Sequence, residues 1–219
     1  MMLRIEIREG QIPPAREEAV ERCLKEGGVA VFPTETFYGL GGDPHSSGLA
    51  ARIAALKERS RDKALPLLAA GGEAAAAAVY FLHEEEERQW RRLAAALWPG
   101  PLTLVAWARP GLAPGVLAGD GSVGVRVPGL ALARRLAHLC GGLLLATSAN
   151  RRGGAAPVTA EVAVAALAGS IDLLVDGGPT PGGLPSTVLR VDGGRPRLLR
   201  EGAVSRESIT EVLGFPPLG

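Results

Sequence analysis

The 219-residue sequence predicts an α/β protein, a twisted open mixed sheet with helices on both faces, and three observations carry the prediction. Short apolar runs recur at residues 29–32, 65–70, 143–146 and 171–175, the pattern of strands covered on both faces. Segments with helical spacing separate them, as in Leu49, Ile53 and Leu56. Pro/Gly clusters at 98–101, 110–121 and 179–185 punctuate the whole, and 47% hydrophobic content supplies a sizeable core. One domain over 1–219 is expected, with 10–203 as its core and 204–219 as a short C-terminal helix and tail.

Taken in order, Pro13 and Pro14 open an amphipathic helix carrying Val20, Cys23 and Leu24 that closes at Gly27 and Gly28. It feeds the first apolar run. Residues 74–97 read as Ala- and Glu-rich helix broken near His83, with Glu84 to Glu87 a solvated face. A strand follows at 102–107, then a loop to Gly121 that could act as a flap. In 122–127 Val123, Val125 and Val127 alternate with Ser122, Gly124 and Arg126, which puts Ser122 and Arg126 on one non-core face. Residues 130–140 form a helix, and the run at 143–146 ends in Thr147, Ser148, Ala149 and Asn150, polar groups at the carboxyl end of a buried strand, where open α/β sheets bind ligands. Thr159 caps a helix to about 168, residues 188–192 and 195–200 pair as a hairpin, and Ser205 caps a last short helix.

The densest chemistry lies in residues 29–63. After Pro33, an extended course would put Thr34, Thr36 and Tyr38 on one wall as three hydroxyls, with Glu35 and Phe37 opposite. Gly39, Gly41 and Gly42 would let the backbone turn and expose its amides. The chain has only three lysines among its 24 cations, and two stand here, around Arg59: Lys57 and Lys63. An ammonium meets a phosphate as a point charge while a guanidinium holds two oxygens, so the set reads as a phosphate clamp or, alternatively, as a solvated helix end. Five arginines between 190 and 206, against Asp192 and Glu201, form either a solvated edge or part of a ligand rim.

Composition excludes several classes. Net charge is +1 and aromatic content 4%, poor for a nucleic-acid binder that works by bulk charge or stacking. No apolar window reaches membrane-spanning length and the N-terminus has no long apolar segment, so no membrane partner and a cytoplasmic location are expected. Cys23 and Cys140 make no metal or disulfide framework, and His45, His83 and His138 are scattered. With neither a GxSxG elbow nor a Walker A sequence, what remains is Lys57, Arg59, Lys63 and Arg200 as phosphate donors and Arg126 as a carboxylate-type arginine. That set suits nucleotide chemistry driven by positioning and charge neutralisation, with magnesium carried on the phosphates and no tightly bound cofactor.

The motifs PTETFYGLG, KERSRDK, SVGVRVP, SAN, STVLRVD and LLREG, in that order, resemble the YrdC-type threonylcarbamoyl-AMP synthase family over almost the whole chain, in its short form. Leu68 departs from a polar residue of some longer relatives, and the resemblance does not extend to their additional C-terminal domain. The resemblance implies a basic concave cleft in which L-threonine, bicarbonate and ATP become threonylcarbamoyl-AMP and pyrophosphate. Downstream proteins would use that product to form N6-threonylcarbamoyladenosine in tRNA. It implies that Lys57 and Arg59 are catalytic, that Lys57, Arg59 and Lys63 hold the phosphates, and that Ser148 and Asn150 lie beside the nucleotide, with Ser122 and Arg200 on the same side. Thr36, Arg126 and Ser186 would contact threonine. The other readings are a double-stranded RNA or tRNA-binding module of the same fold, with weak direct RNA binding, and a paralogue without synthase activity.

Overall fold

The computed structural model describes residues 2–7, 9–58, 64–151, 153–167 and 169–219. The elements run β1 (Leu3–Glu6), α1 (Pro14–Lys25), β2 (Ala30–Pro33), β3 (Tyr38–Gly42), α2 (Leu49–Leu56), β4 (Leu67–Ala69), α3 (Gly72–Ala77), β5 (Val79–Tyr80), α4 (Glu84–Leu97), β6 (Leu102–Ala108) and β7 (Ser122–Arg126). Then follow α5 (Ala131–Leu139), β8 (Leu143–Ser148), α6 (Ala160–Ala165), β9 (Leu173–Asp176), β10 (Thr187–Arg190), β11 (Arg197–Arg200) and α7 (Arg206–Leu213). Among the described residues, eleven strands form one mixed sheet in the order β1-β9-β2-β3-β8-β4-β7-β6-β10-β11, with β5 paired to β6 outside that path. The predicted fold class is the observed one.

The continuous apolar runs are strands sandwiched between two cores. In β2 and the residue before it, Val29 and Val31 enter one cluster while Ala30 and Phe32 enter the other. The same alternation recurs in β4, with Leu67 and Ala69 against Leu68, and in β8, with Leu145 against Leu144 and Ala146. A strand with no polar face has nowhere stable except between two helical layers. One layer brings Leu49 and Ile53 of α2, Trp90 and Leu93 of α4, Ala163 of α6 and Ile209 of α7; the other brings Val20 and Leu24 of α1 and Leu132 and Leu136 of α5. Each fully buried leucine contributes roughly 1.5–3 kcal/mol.

Two local readings are corrected. Residues 34–37 do not stay extended: β2 and β3 are an antiparallel hairpin with Pro33 opposite Tyr38, closed by a Thr34 N–H to Phe37 carbonyl bond of 3.0 Å. The glycines after Tyr38 are a central strand and expose no amides in a turn. A Cβ at Gly41 would lie 1.6 Å from the Leu145 carbonyl oxygen of β8, so close approach between strands is what requires glycine there. The helix over 74–97 is broken as expected near His83, which caps α4, and the structure adds a two-residue strand in the break between α3 and α4, where Tyr80 pairs with Trp107. The segment outside 10–203 also packs: Ile5 of β1 lies in the smaller core, and Ile209 and Leu213 of α7 lie in the larger. No helix among the described residues is long and apolar enough to cross a membrane.

Candidate active site

A cleft of ≈ 460 Å³ opens over the sheet where several predicted residues converge. The hairpin turn contributes Thr34 and Thr36, β7 Arg126, β6 Thr103, the end of β8 Thr147 and Ser148, the approach to β10 Ser186, and β11 Arg200. Ala64, Pro66 and Leu68 form its apolar floor with Ala146. Of the predicted site residues, Thr36, Arg126, Ser148, Ser186 and Arg200 therefore share one space. Arg59 and Lys63 lie outside the described residues.

Arg126 is 6% exposed, and its Nε and Nη2 have no hydrogen-bond partner among the described residues. Its Nη2 is in ion-pair contact with Glu35 Oε1, without hydrogen-bond alignment. Glu35 Oε1 in turn accepts the Gly129 N–H at 2.8 Å. Burial alone would raise the Glu35 carboxyl, but the Arg126 charge and the Gly129 amide outweigh it, and the group stays below the usual carboxylate range. Sequence periodicity set Glu35 on the wall opposite the threonines, whereas the turn brings it to Arg126.

The hydroxyls form two small systems. Thr34 Oγ1 donates to the Phe37 carbonyl at 2.7 Å, accepts the Thr36 and Phe37 amides at 3.2 Å, and lies 3.1 Å from Thr36 Oγ1, so it is consumed by the turn while Thr36 keeps hydrogen-bonding capacity. Tyr38 lines the same cleft, but its hydroxyl is engaged outside it. Its hydroxyl donates to the Gly178 carbonyl at 2.7 Å and accepts the Gly177 N–H at 3.2 Å, and burial pushes the phenol up to about 12. Across the cleft Thr103 Oγ1 meets Ser186 Oγ at 3.1 Å, and Arg200 bonds the Ser186 carbonyl through Nε at 3.1 Å and Nη2 at 2.8 Å. Burial and the nearby Arg126 charge hold the Arg200 guanidinium below its ordinary value, as two cations sharing one cleft require. Gly202 lets the chain after Arg200 press against this turn, since a Cβ there would sit 2.1 Å from the Pro185 carbonyl oxygen. Thr103 escaped the sequence reading. Its signal was a lone hydroxyl in an otherwise apolar strand, on the face opposite Leu102 and Leu104.

Three predicted residues, Ser122, Lys57 and Asn150, are not in the cleft lining. Ser122 does not line the cleft: it lies four residues from Arg126, about 13 Å along β7, and its hydroxyl donates to Asp120 Oδ1 at 2.7 Å. Asp120 also accepts Arg190 Nη1 at 2.7 Å, so Ser122 belongs to a latch on the 110–121 loop. Lys57 is 4% exposed, which removes the solvated-helix-end reading. Its Nζ donates to the Ser148 carbonyl and, at 2.6 Å, to the Asn150 carbonyl, with Asn150 Oδ1 at 3.4 Å. The ammonium thus grips the turn after β8. Ser148 Oγ and Asn150 Oδ1, 2.5 Å apart, are what that grip positions. Among the described residues no three His, Cys, Asp or Glu side chains gather as metal ligands.

An open mixed α/β sheet that gathers two guanidinia and several small hydroxyls in one cleft has donors of the kind that suit small anionic groups. The chain belongs to the Sua5/YciO/YrdC family, whose model, described as telomere recombination, matches residues 22–202. A threonylcarbamoyl-AMP synthase of Bacillus subtilis is 36% identical over 192 residues, 87% of this chain and 54% of that protein, so the chain spans about half the length of this relative. A Mycobacterium tuberculosis relative is 35% identical, covering 88% of this chain and 86% of its own. The crystal structure of Pyrococcus abyssi Sua5 complexed with L-threonine superposes with a TM-score of 0.87 at 31% identity, over 100% of this chain and 62% of that one. Escherichia coli YciO shares the fold, with a TM-score of 0.81 at 21% identity over 95% of this chain and 100% of that one.

Proposed function

We propose that the chain is a threonylcarbamoyl-AMP synthase, a nucleotidyltransferase that joins L-threonine, bicarbonate and ATP and releases pyrophosphate. The observation that carries this reading is Arg126, a guanidinium buried in the cleft with its Nε unbonded, since the planar fork of a guanidinium is what a carboxylate takes. The synthase name of the Bacillus subtilis relative and the L-threonine complex of the Pyrococcus abyssi relative support it.

In this reading Arg126 holds the threonine carboxylate, while Thr36 and the Thr103–Ser186 pair surround its side chain. The threonine nitrogen, as the free amine, bonds to the carbon that bicarbonate supplies, and a bicarbonate C–O bond breaks as water leaves with an amine proton. An oxygen of the resulting carbamate then attacks the α-phosphorus of ATP, and the bond to the departing pyrophosphate breaks. Arg59, Lys63 and Arg200 neutralise the phosphates, and Ser148 and Asn150, held by Lys57, contact the nucleotide. Magnesium enters with ATP and supplies further charge neutralisation on the phosphates. The product serves tRNA threonylcarbamoyl-transfer proteins. Incubating the protein with threonine, bicarbonate, magnesium and ATP tests the reading: pyrophosphate release should need all three substrates, and release independent of threonine would reject it.

A further inference from the structure

A second cavity, of ≈ 590 Å³, shares no lining residue with the active-site cleft. The neighbouring parallel strands β1, β9 and β2 present their amino ends to it through Leu3, Asp172 and Gly28. The cleft takes up β2 at its other end, from Thr34, about 20 Å further along the chain. We propose that the second cavity binds a compact free polyphosphate, such as pyrophosphate or the triphosphate of a nucleotide, through Arg16 and Arg22; the inference goes beyond the synthase reading and stands apart from it.

Four guanidinia line this cavity, those of Arg4, Arg16, Arg22 and Arg52, against the two carboxylates of Glu26 and Asp172. Two of the four are engaged within the protein: Arg52 Nη2 donates to Asp172 Oδ2 at 2.7 Å, and Arg4 Nη2 to Asp176 Oδ2 at 2.7 Å. Asp172 Oδ2 also accepts the Val29 amide at 2.7 Å, so that acid is occupied as well. Neither Arg16 nor Arg22 has a side-chain hydrogen bond or ion pair among the described residues. Elsewhere α1 does form such pairs, Lys25 with Glu21 at 2.5 Å and Glu17 with Arg135 at 2.6 Å. Arg22 has Glu18 and Glu26 one turn away on either side, the spacing at which helical ion pairs form, and joins neither. Arg16, Ala19, Cys23 and Glu26 follow one stripe of the helix with Arg22 beside it, which is the face that lines the cavity. Unbonded guanidinia on a concave wall are forked donors for phosphate oxygens, and a wall dominated by one sign concentrates anions. A compact ligand fits better than RNA, because the cations converge on one hollow instead of following a track, and a net charge of +1 with 4% aromatic residues offers a strand few further contacts.

Calorimetric titration of the whole chain with tripolyphosphate at fixed ionic strength, for the unsubstituted protein and for the double variant Arg16→Gln, Arg22→Gln, tests the inference. Both side chains are exposed, so the variant should keep the urea midpoint of the unsubstituted protein. It should lose about a hundredfold or more of affinity at one site, the effect of removing two charge-assisted contacts, while tripolyphosphate binding in the cleft persists. Cys23, half-buried in the cavity wall, reports the location: tripolyphosphate should slow its alkylation by iodoacetamide in the unsubstituted protein and leave the rate unchanged in the variant. Equal tripolyphosphate binding by the two proteins overturns the inference. Protection of Cys23 by a short single-stranded RNA and not by tripolyphosphate also overturns it, and would make the hollow a contact for a polymer. Should the variant not fold, the unsubstituted protein decides: Cys23 alkylation at the same rate with and without tripolyphosphate overturns the inference.

Discussion

Lys57 Nζ lies 2.6 Å from the Asn150 carbonyl oxygen, so an ammonium from the end of α2 holds the turn that follows β8. A residue that orders a binding turn from beneath behaves differently from one that grips phosphate. Lys57→Ala removes the donor from two carbonyls, each worth about 1–3 kcal/mol when left bare, so both the urea midpoint and pyrophosphate release should fall. Full stability with lost activity would place the ammonium on the phosphates.

Arg126→Lys keeps the charge and removes the fork. An ammonium cannot supply two parallel donors, so the apparent KM for threonine should rise roughly tenfold or more while that for ATP stays within about twofold. Steady-state kinetics with each substrate varied in turn measures the split, and an equal rise in both would move Arg126 to the nucleotide or to a scaffolding role.

Gly41→Ala should prevent folding, because the added methyl would overlap the Leu145 carbonyl in the middle of the sheet. Neither central strand can yield without disturbing both cores, and the loss should exceed about 4 kcal/mol, read as lost soluble protein or a collapsed urea midpoint. Gly48→Ala is a control: its Cβ would meet nothing within 4 Å, and only its φ of +89° opposes the change.

Asp120 links the 110–121 loop to the sheet through Arg190 and Ser122, and these bonds pull its carboxyl from 3.8 to about 2. A depressed folded value means the ion stabilises the fold above about pH 4 and ceases to do so as pH falls from about 4 to about 2. Asp120→Asn should therefore lower the urea midpoint at neutral pH, with the gap to the unsubstituted protein closing toward pH 2. A gap independent of pH would assign the effect to hydrogen bonding alone.

The sheet was legible because its strands are apolar throughout: residues 29–32 and 143–146 can satisfy both faces only between helical layers. Helix starts at Pro14, Thr159 and Ser205 were legible from local chemistry, and Thr159 and Ser205 do accept the Val162 and Ser208 amides. The hairpin at 34–37 was not, since glycine in a central strand, placed for contact with Leu145, reads locally as a turn. The cleft was legible in its arginines and in Ser186. Residue type alone could not show that Lys57 lies under the turn after β8, nor set Glu35 beside Arg126, because both depend on which strands become neighbours.

The most direct test follows the carbon. With labelled bicarbonate, threonine, magnesium and ATP, the label should appear in one product that also contains threonine and AMP, formed in step with pyrophosphate. Label that never enters an adenylate, or adenylate formed equally well without threonine, would contradict the assignment of the Arg126 cleft to threonylcarbamoyl-AMP synthesis.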